Sequence, residues 1–222
     1  MNILWIKDGK LGHEKQVKVL LDELSKTTDI KVYEEEYIIG SFQRINDILY
    51  YASRSNELIH HVKYHKKNIH LIIGAGSNTH AKVLQIKRGL KHDFHKEVLA
   101  VSLLVPSFFK QHFDLICAPK HDRHKLSGHE AIYFEGSLAK VSIDAVDESI
   151  GLIAIGGKNE HYLFNVNKIM EQVEFVTSIY PNKTWYIFSS RRTPQKMINA
   201  IDNLAQINKK IIISKGGFDE ML

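Results

Sequence analysis

The chain has 222 residues, 44% of them hydrophobic, and carries 30 Lys and Arg against 25 Asp and Glu for a formal charge of +5. That is the make-up of a soluble globular protein of one large or two small domains, with no apolar run long enough for a helical membrane span and no basic-then-apolar opening of a secretion signal. The single cysteine, Cys117, cannot form an internal disulfide, which suits a reducing, cytoplasmic setting.

In chain order, NILWI predicts a first strand and HEKQVKVLLDELSK a first amphipathic helix. Then follow IKVYEEEYI, FQRINDILYYA, IHLIIGAG, THAKVLQIKRG, EVLAVSLLV, FDLICAP and AIYFEG. Strand, helix, strand, helix over this length implies an α/β fold, a parallel sheet covered by helices on both faces. From Asp144 to Ser149 the pattern lapses into a polar link, and GLIAIGG restarts it. A helix over LFNVNKIMEQVEFVTSIY, TWYIFSS, a helix over PQKMINAIDNLAQI and KIIISKGG complete the chain. The domains therefore read as 1–148 and 149–222. The second ends at Gly217–Leu222 after three strands, which predicts a small unit that leans on the first or is shortened. No internal repeat is present beyond this alternation, and the only biased stretch is the histidine-rich middle.

The basic residues are spread as KHKK, KRGLKHDFHK, KHDRHK and SSRRTP, a dispersion that favours acidic small molecules or anionic surfaces over duplex DNA. No zinc-finger spacing, basic heptad or aromatic RNA-binding pattern accompanies them, so no nucleic-acid partner is expected. Peripheral contact with an anionic membrane fits the same charges.

In open parallel sheets, ligands bind beyond the carboxyl ends of the strands, so the residues after each apolar run carry the functional reading. After the first predicted strand come Asp8, Gly9, Lys10, Gly12, His13 and Gln16; the glycines suit a sharp turn, and the next helix offers N–H groups and a positive dipole end to an anion. The bland reading is a solvated turn. After LII come Gly74, Gly76, Ser77, Thr79 and His80, with Ser77 or Thr79 placed to cap the next helix. After LICA, His121 and Asp122 stand side by side, as a substrate-binding pair or a charged surface turn. In the second unit, Gly156-Gly157-Lys158-Asn159 and Ser190-Arg191-Arg192-Thr193-Pro194 read as phosphate loops, since Gly-Gly exposes amides and paired arginines offer planar donors to diphosphate oxygens. Pro194 at the first helical turn, with Thr193 as an N-cap, accounts for part of that motif structurally.

Two histidine clusters, His60-His61-Tyr64-His65 and His121-Asp122-Arg123-His124, have spacings that a metal tolerates, but neither HExxH nor cysteine reinforces them, and no metal is expected. No GxSxG elbow supports a serine hydrolase.

As an ordered set, WIKDGKLGHEKQ, LIIGAGSNTHAKVL, FDLICAPKHD, GLIAIGGKNEHY and FSSRRTP resemble the mitochondrial-fission Elm-type family, which has plant and bacterial members. The resemblance runs through nearly the whole chain. It implies two Rossmann-like domains of glycosyltransferase B-type architecture, the second C-terminally truncated, because family members continue into a Ser- and Glu-containing segment past this chain's last strand. It also implies a nucleoside-diphosphate sugar as donor in the interdomain cleft, with Gly9, Gly12 and His13 on one wall and Gly156, Gly157, Ser190 and Arg191 on the other. Asp8 to His13 is also similar to the Gly-His first loop of the transferase that adds N-acetylglucosamine to the peptidoglycan lipid precursor. By that analogy His13 orients or deprotonates an acceptor hydroxyl, Arg191 and the Gly156-Gly157 amides stabilise the departing diphosphate, and neither cofactor nor metal takes part. The competing expectations are a scaffold that has lost turnover and a peripheral membrane protein. The acceptor and the oligomeric state are open.

Overall fold

Trp5 and Ile3 of the first strand point to one face of a sheet while Leu4 and Ile6 point to the other, and all four are buried. That period of two over an uninterrupted apolar run is what a parallel strand covered on both sides requires. The computed structural model describes residues 1–52, 63–140, 146–158, 163–190 and 192–214, apart from the side chain of Ser41. Packing divides the chain into two units, Met1–Lys140 and Val141–Leu222.

Unit 1 runs β1 (Asn2–Lys7), α1 (Leu11–Ser25), β2 (Lys31–Glu36), α2 (Ser41–Ala52), β3 (Leu71–Ala75), α3 (His80–Phe94), β4 (Leu99–Leu103), β5 (Leu115–Pro119) and β6 (Ile132–Phe134). Its six strands are all parallel, in the order β2-β1-β3-β4-β5-β6. After β2 the chain crosses back over β1 to form β3, so the direction of winding reverses between β1 and β3. A reversal of this kind leaves a crevice beyond the carboxyl ends of the two strands, because the helices that follow them lie on opposite faces. Val17 and Leu21 of α1 pack with Ile3, Trp5, Ile73, Val101 and Leu103 on one face. On the other, Tyr51, Val83, Leu84, Ile86 and Leu90 of α2 and α3 cover Leu4, Ile6, Ile72, Ala100 and Ile116. Cys117 is buried, and that burial pushes its thiol pKa up.

Unit 2 runs β7 (Ile150–Ile155), α4 (Val166–Ile179), β8 (Thr184–Ser189), α5 (Gln195–Ile207) and β9 (Ile211–Ser214), with a parallel sheet in the order β7-β8-β9. Val173 of α4 and Met197 and Ile201 of α5 share one core with Ile155, Trp185, Ile187 and Ile211. The expectation of helices on both faces holds for unit 1 alone. In unit 2 both βαβ crossovers run the same way, which places both helices on one face, while Leu152 and Ile212 stay exposed among the described residues. No described helix is long and apolar enough to cross a membrane.

Candidate functional site

Beyond the carboxyl ends of β1 and β3 the structure brings Asp8, His13 and Gly76 together. Asp8 directly follows β1, and its carboxylate is only 1% exposed. One oxygen accepts from the Lys10 amide at 3.1 Å, the other meets His13 Nδ1 at 2.8 Å, and Lys10 Nζ lies 3.9 Å away. A buried carboxylate held this way keeps a proton on Nδ1 and turns Nε2 of the His13 ring to the opposite side. The His13 side chain remains 24% exposed.

Gly76 makes this geometry fit. Its φ of +83° lies in the left-handed region, and a Cβ there would collide with Cε1 and Nδ1 of His13 and stand 3.0 Å from the Asp8 carboxylate. Gly9 also has a positive φ, +75°, with Ile38 beside it. Gly12 differs from the sequence reading: inside α1, nothing lies within 4 Å of where its Cβ would be, so it leaves open space rather than forming the turn. Gln16, one turn later, donates to the Gly12 carbonyl and accepts from the Leu138 amide.

Thr79 and His80 lie beneath this surface. Thr79 occupies the N-cap position of α3, but its hydroxyl makes no cap bond and donates back to the carbonyls of Gly76 at 3.0 Å and Ala75 at 3.3 Å. Gly74 lies against the Thr79 side chain. Ser77 receives a hydrogen bond from Arg44 of α2 at 3.1 Å instead of capping α3. His80 is buried. Ser102 Oγ donates to the Leu104 carbonyl at 2.8 Å, so at 3.1 Å it accepts from His80 Nε2, leaving Nδ1 as a bare acceptor with no partner among the described residues. Burial, and next the charge of nearby His13, lowers the His80 pKa to about 4. Ser102 was missed in the sequence; a hydroxyl inside the apolar run EVLAVSLLV was the available signal.

His121 and Asp122 open a 3-10 turn, Lys120–Leu126, after β5. Their side chains approach only to 3.8 Å, and Asp122 is instead paired with Lys125 at 2.6 Å. Both line a groove of about 480 Å³ with Gln16, Lys110, Lys125 and Ser137. Of the histidine clusters, His60 and His61 lie outside the described residues. Tyr64 is buried with its hydroxyl on Glu35, His65 stacks on Phe94 at 4.2 Å, and His124 Nδ1 meets the His121 carbonyl at 3.1 Å.

In unit 2 the Gly156-Gly157 turn after β7 and the Ser190–Thr193 turn after β8 are locked together. Thr193 Oγ1 donates to the Gly156 carbonyl at 2.7 Å and accepts from the Ser190 amide at 2.9 Å. The Arg192 amide donates to Ser190 Oγ, and the Lys158 amide to the Arg192 carbonyl. A Cβ at Gly157 would collide with the Arg192 backbone. The Lys158 amide and the Thr193 hydroxyl thus hold the two turns to each other. Thr193 is not an N-cap; Pro194 occupies that position before α5. Arg191 and Asn159 lie outside the described residues. Beside Gly156 is a hollow of about 580 Å³ lined by Ile155, Phe164, Asn165 and Lys168 among others.

The sequence profile of the family described as mitochondrial fission ELM1 matches residues 11–220. No curated protein matches the chain. Among solved structures, UDP-GlcNAc 2-epimerase from Neisseria meningitidis bound to UDP-GlcNAc is similar over 98% of this chain and 73% of its own, with 10% identity and a TM-score of 0.49. The S. aureus MnaA–UDP structure is similar over 96% and 68%, with 10% identity and a TM-score of 0.46. UDP-GlcNAc 2-epimerase from Methanocaldococcus jannaschii, in complex with UDP-GlcNAc and UDP, is similar over 100% and 75%, with 16% identity and a TM-score of 0.46.

Proposed function

The chain belongs to the mitochondrial fission ELM1 family, and from that premise we propose that it binds a nucleoside-diphosphate sugar and transfers the sugar to an acceptor hydroxyl in the cytoplasm, without a metal or cofactor. In this reading residues 1–148 and 149–222 are the two Rossmann-like domains of a B-type glycosyltransferase architecture. The observation that carries it is the Asp8–His13 pair seated on Gly76 where the winding of the sheet reverses. A buried carboxylate behind an accessible imidazole is the arrangement of an oriented general base.

The acceptor oxygen attacks the anomeric carbon as its bond to the diphosphate breaks, and His13 Nε2 takes the hydroxyl proton. Lys10, Gln16, His121 and Asp122 hold the acceptor. The Gly156-Gly157 turn and the Arg191 and Arg192 guanidiniums hold the diphosphate, with the nucleoside in the hollow beside Gly156. Gly9, Gly12, Gly74, Gly76, Thr79 and His80 shape the acceptor side; Ser190 and Thr193 fix the phosphate turn.

Titration calorimetry with UDP- and GDP-sugars tests the reading. Heat is expected with one donor class, and Arg191→Ala should weaken that binding by about 1.5–3 kcal/mol through loss of a charge-assisted hydrogen bond. His13→Ala should keep donor binding and lose turnover. No heat with any sugar nucleotide overturns the transferase and leaves a scaffold that works by contact alone.

A further inference from the structure

Helix α2 turns part of its apolar surface outward. Two of its charged side chains face the protein: Arg44 donates to Ser77, and Asp47 is buried, accepting from the Tyr37 hydroxyl at 2.7 Å and from Gln43 at 3.1 Å. Two α3 side chains tie down its backbone, Gln85 on the Asp47 carbonyl and Arg88 on the Tyr51 carbonyl. Burial, with Asp47 second, raises the Tyr37 pKa, so the phenol stays a donor. Tyr51 of the same helix is buried in the core, but three of its other apolar residues point away from the protein. Phe42 is 78% exposed, Ile45 51% and Leu49 61%, and Ile38, just before the helix, is 69% exposed. Positions 42, 45 and 49 fall within one narrow stripe at helical spacing. Ile38 carries the stripe to Gly9, beside the exposed Lys10.

We propose that this stripe is a membrane-docking face, which seats α2 flat in the headgroup region of an anionic bilayer. A helix with bulky apolar side chains turned outward and its polar side already satisfied within the protein is built to lie in an interface plane. The charges around it are complementary to anionic lipid. Lys10 borders the stripe, Lys82 lies over the Tyr37 ring, and the whole chain carries +5. Of the neighbouring acids, Asp47 is bonded internally, Asp8 holds His13, Glu35 is engaged by Tyr64 and Lys63, and Glu36 is exposed. Four side chains cover a few hundred Å², well short of the roughly 800 Å² per partner of a specific protein interface. The proposal is independent of the sugar-nucleotide reading.

Cosedimentation of the full chain with phosphatidylcholine vesicles, with and without phosphatidylglycerol, tests it. Binding is expected on the anionic vesicles, weakened by added salt, and reduced roughly tenfold or more by Phe42→Ser, Ile45→Ser and Leu49→Ser together. These positions are exposed, so the triple variant should keep the circular dichroism and melting of the parent. In a second variant, Phe42→Trp, indole emission should shift to the blue when anionic vesicles are added. An unshifted emission, undiminished binding by the triple variant, or a concentration-dependent dimer that the triple variant abolishes overturns the proposal, the last assigning the stripe to a second copy. Calorimetric donor binding by the triple variant reads the sugar-nucleotide site separately.

Discussion

Gly76 is the residue on which the Asp8–His13 pair depends most directly. Alanine there meets a positive φ and a collision with the His13 ring together. Gly76→Ala should cost about 1–3 kcal/mol in urea unfolding and weaken any ligand that touches His13. His80 supplies a prediction in pH. Its folded pKa of about 4 lies below the ordinary value of 6.5, so the unfolded chain binds the proton more readily. Stability is therefore intact above pH 6.5 and falls as pH drops from there to about 4, by up to roughly 3 kcal/mol. His80→Gln keeps a donor for Ser102 and removes the titration, so its acid limb should be flatter by that amount in urea titrations at stepped pH. Glycine and histidine after apolar runs pointed to both positions in the sequence. Their partners were less legible, because whether His13 meets Asp8 or water depends on a ring rotamer, and the Ser102–His80 bond joins the start of α3 to the end of β4, which only the folded unit makes adjacent.

Among the elements, the strands and helices were legible because their apolar periods are long and clean. The orientation of α2 was not. A period of 3.6 in FQRINDILYYA announces an amphipathic helix but does not say which side turns inward, and here Asp47 and Arg44 with their partners Tyr37, Ser77 and Gln85 decided it. Helix starts were misjudged for a related reason. Thr79 and Thr193 stand just before helices, yet the Thr79 hydroxyl bonds to the Gly76 carbonyl of its own β3–α3 turn and the Thr193 hydroxyl to the Gly156 carbonyl past the neighbouring strand β7. Thr193→Val should therefore act on the junction rather than on α5. The expected loss is about 1–3 kcal/mol, since the Ser190 amide and Gly156 carbonyl lose their partner, with the helical signal in circular dichroism unchanged below the melting transition.

For the whole molecule, alternating strands and helices specified parallel sheets, but strand order is a matter of crossover direction, which no local pattern encodes. The reversal between β1 and β3 is what turns separate Gly-rich turns into one site on unit 1. The single covered face of unit 2 was likewise out of reach of periodicity, since Leu152 and Ile212 are as apolar as buried residues. Unit 1 carries two apolar clusters, one on each face of six strands. A fragment of residues 1–140 should unfold cooperatively in urea with its near-ultraviolet signal intact beforehand; a gradual loss would show that it borrows stability from the remaining chain.

Six strands pointing the same way also leave unit 1 with a rim remote from the candidate site. The bend Ser127–Glu130, which leads into β6 with Gly128 at a φ of +81°, lies at the entering ends of the strands, while Asp8, His13 and Gly76 lie at the leaving ends. A fluorophore or affinity handle grafted there would be a sheet's length away from the imidazole, giving experimenters a place to hold or watch the protein while the Asp8–His13 edge is left alone.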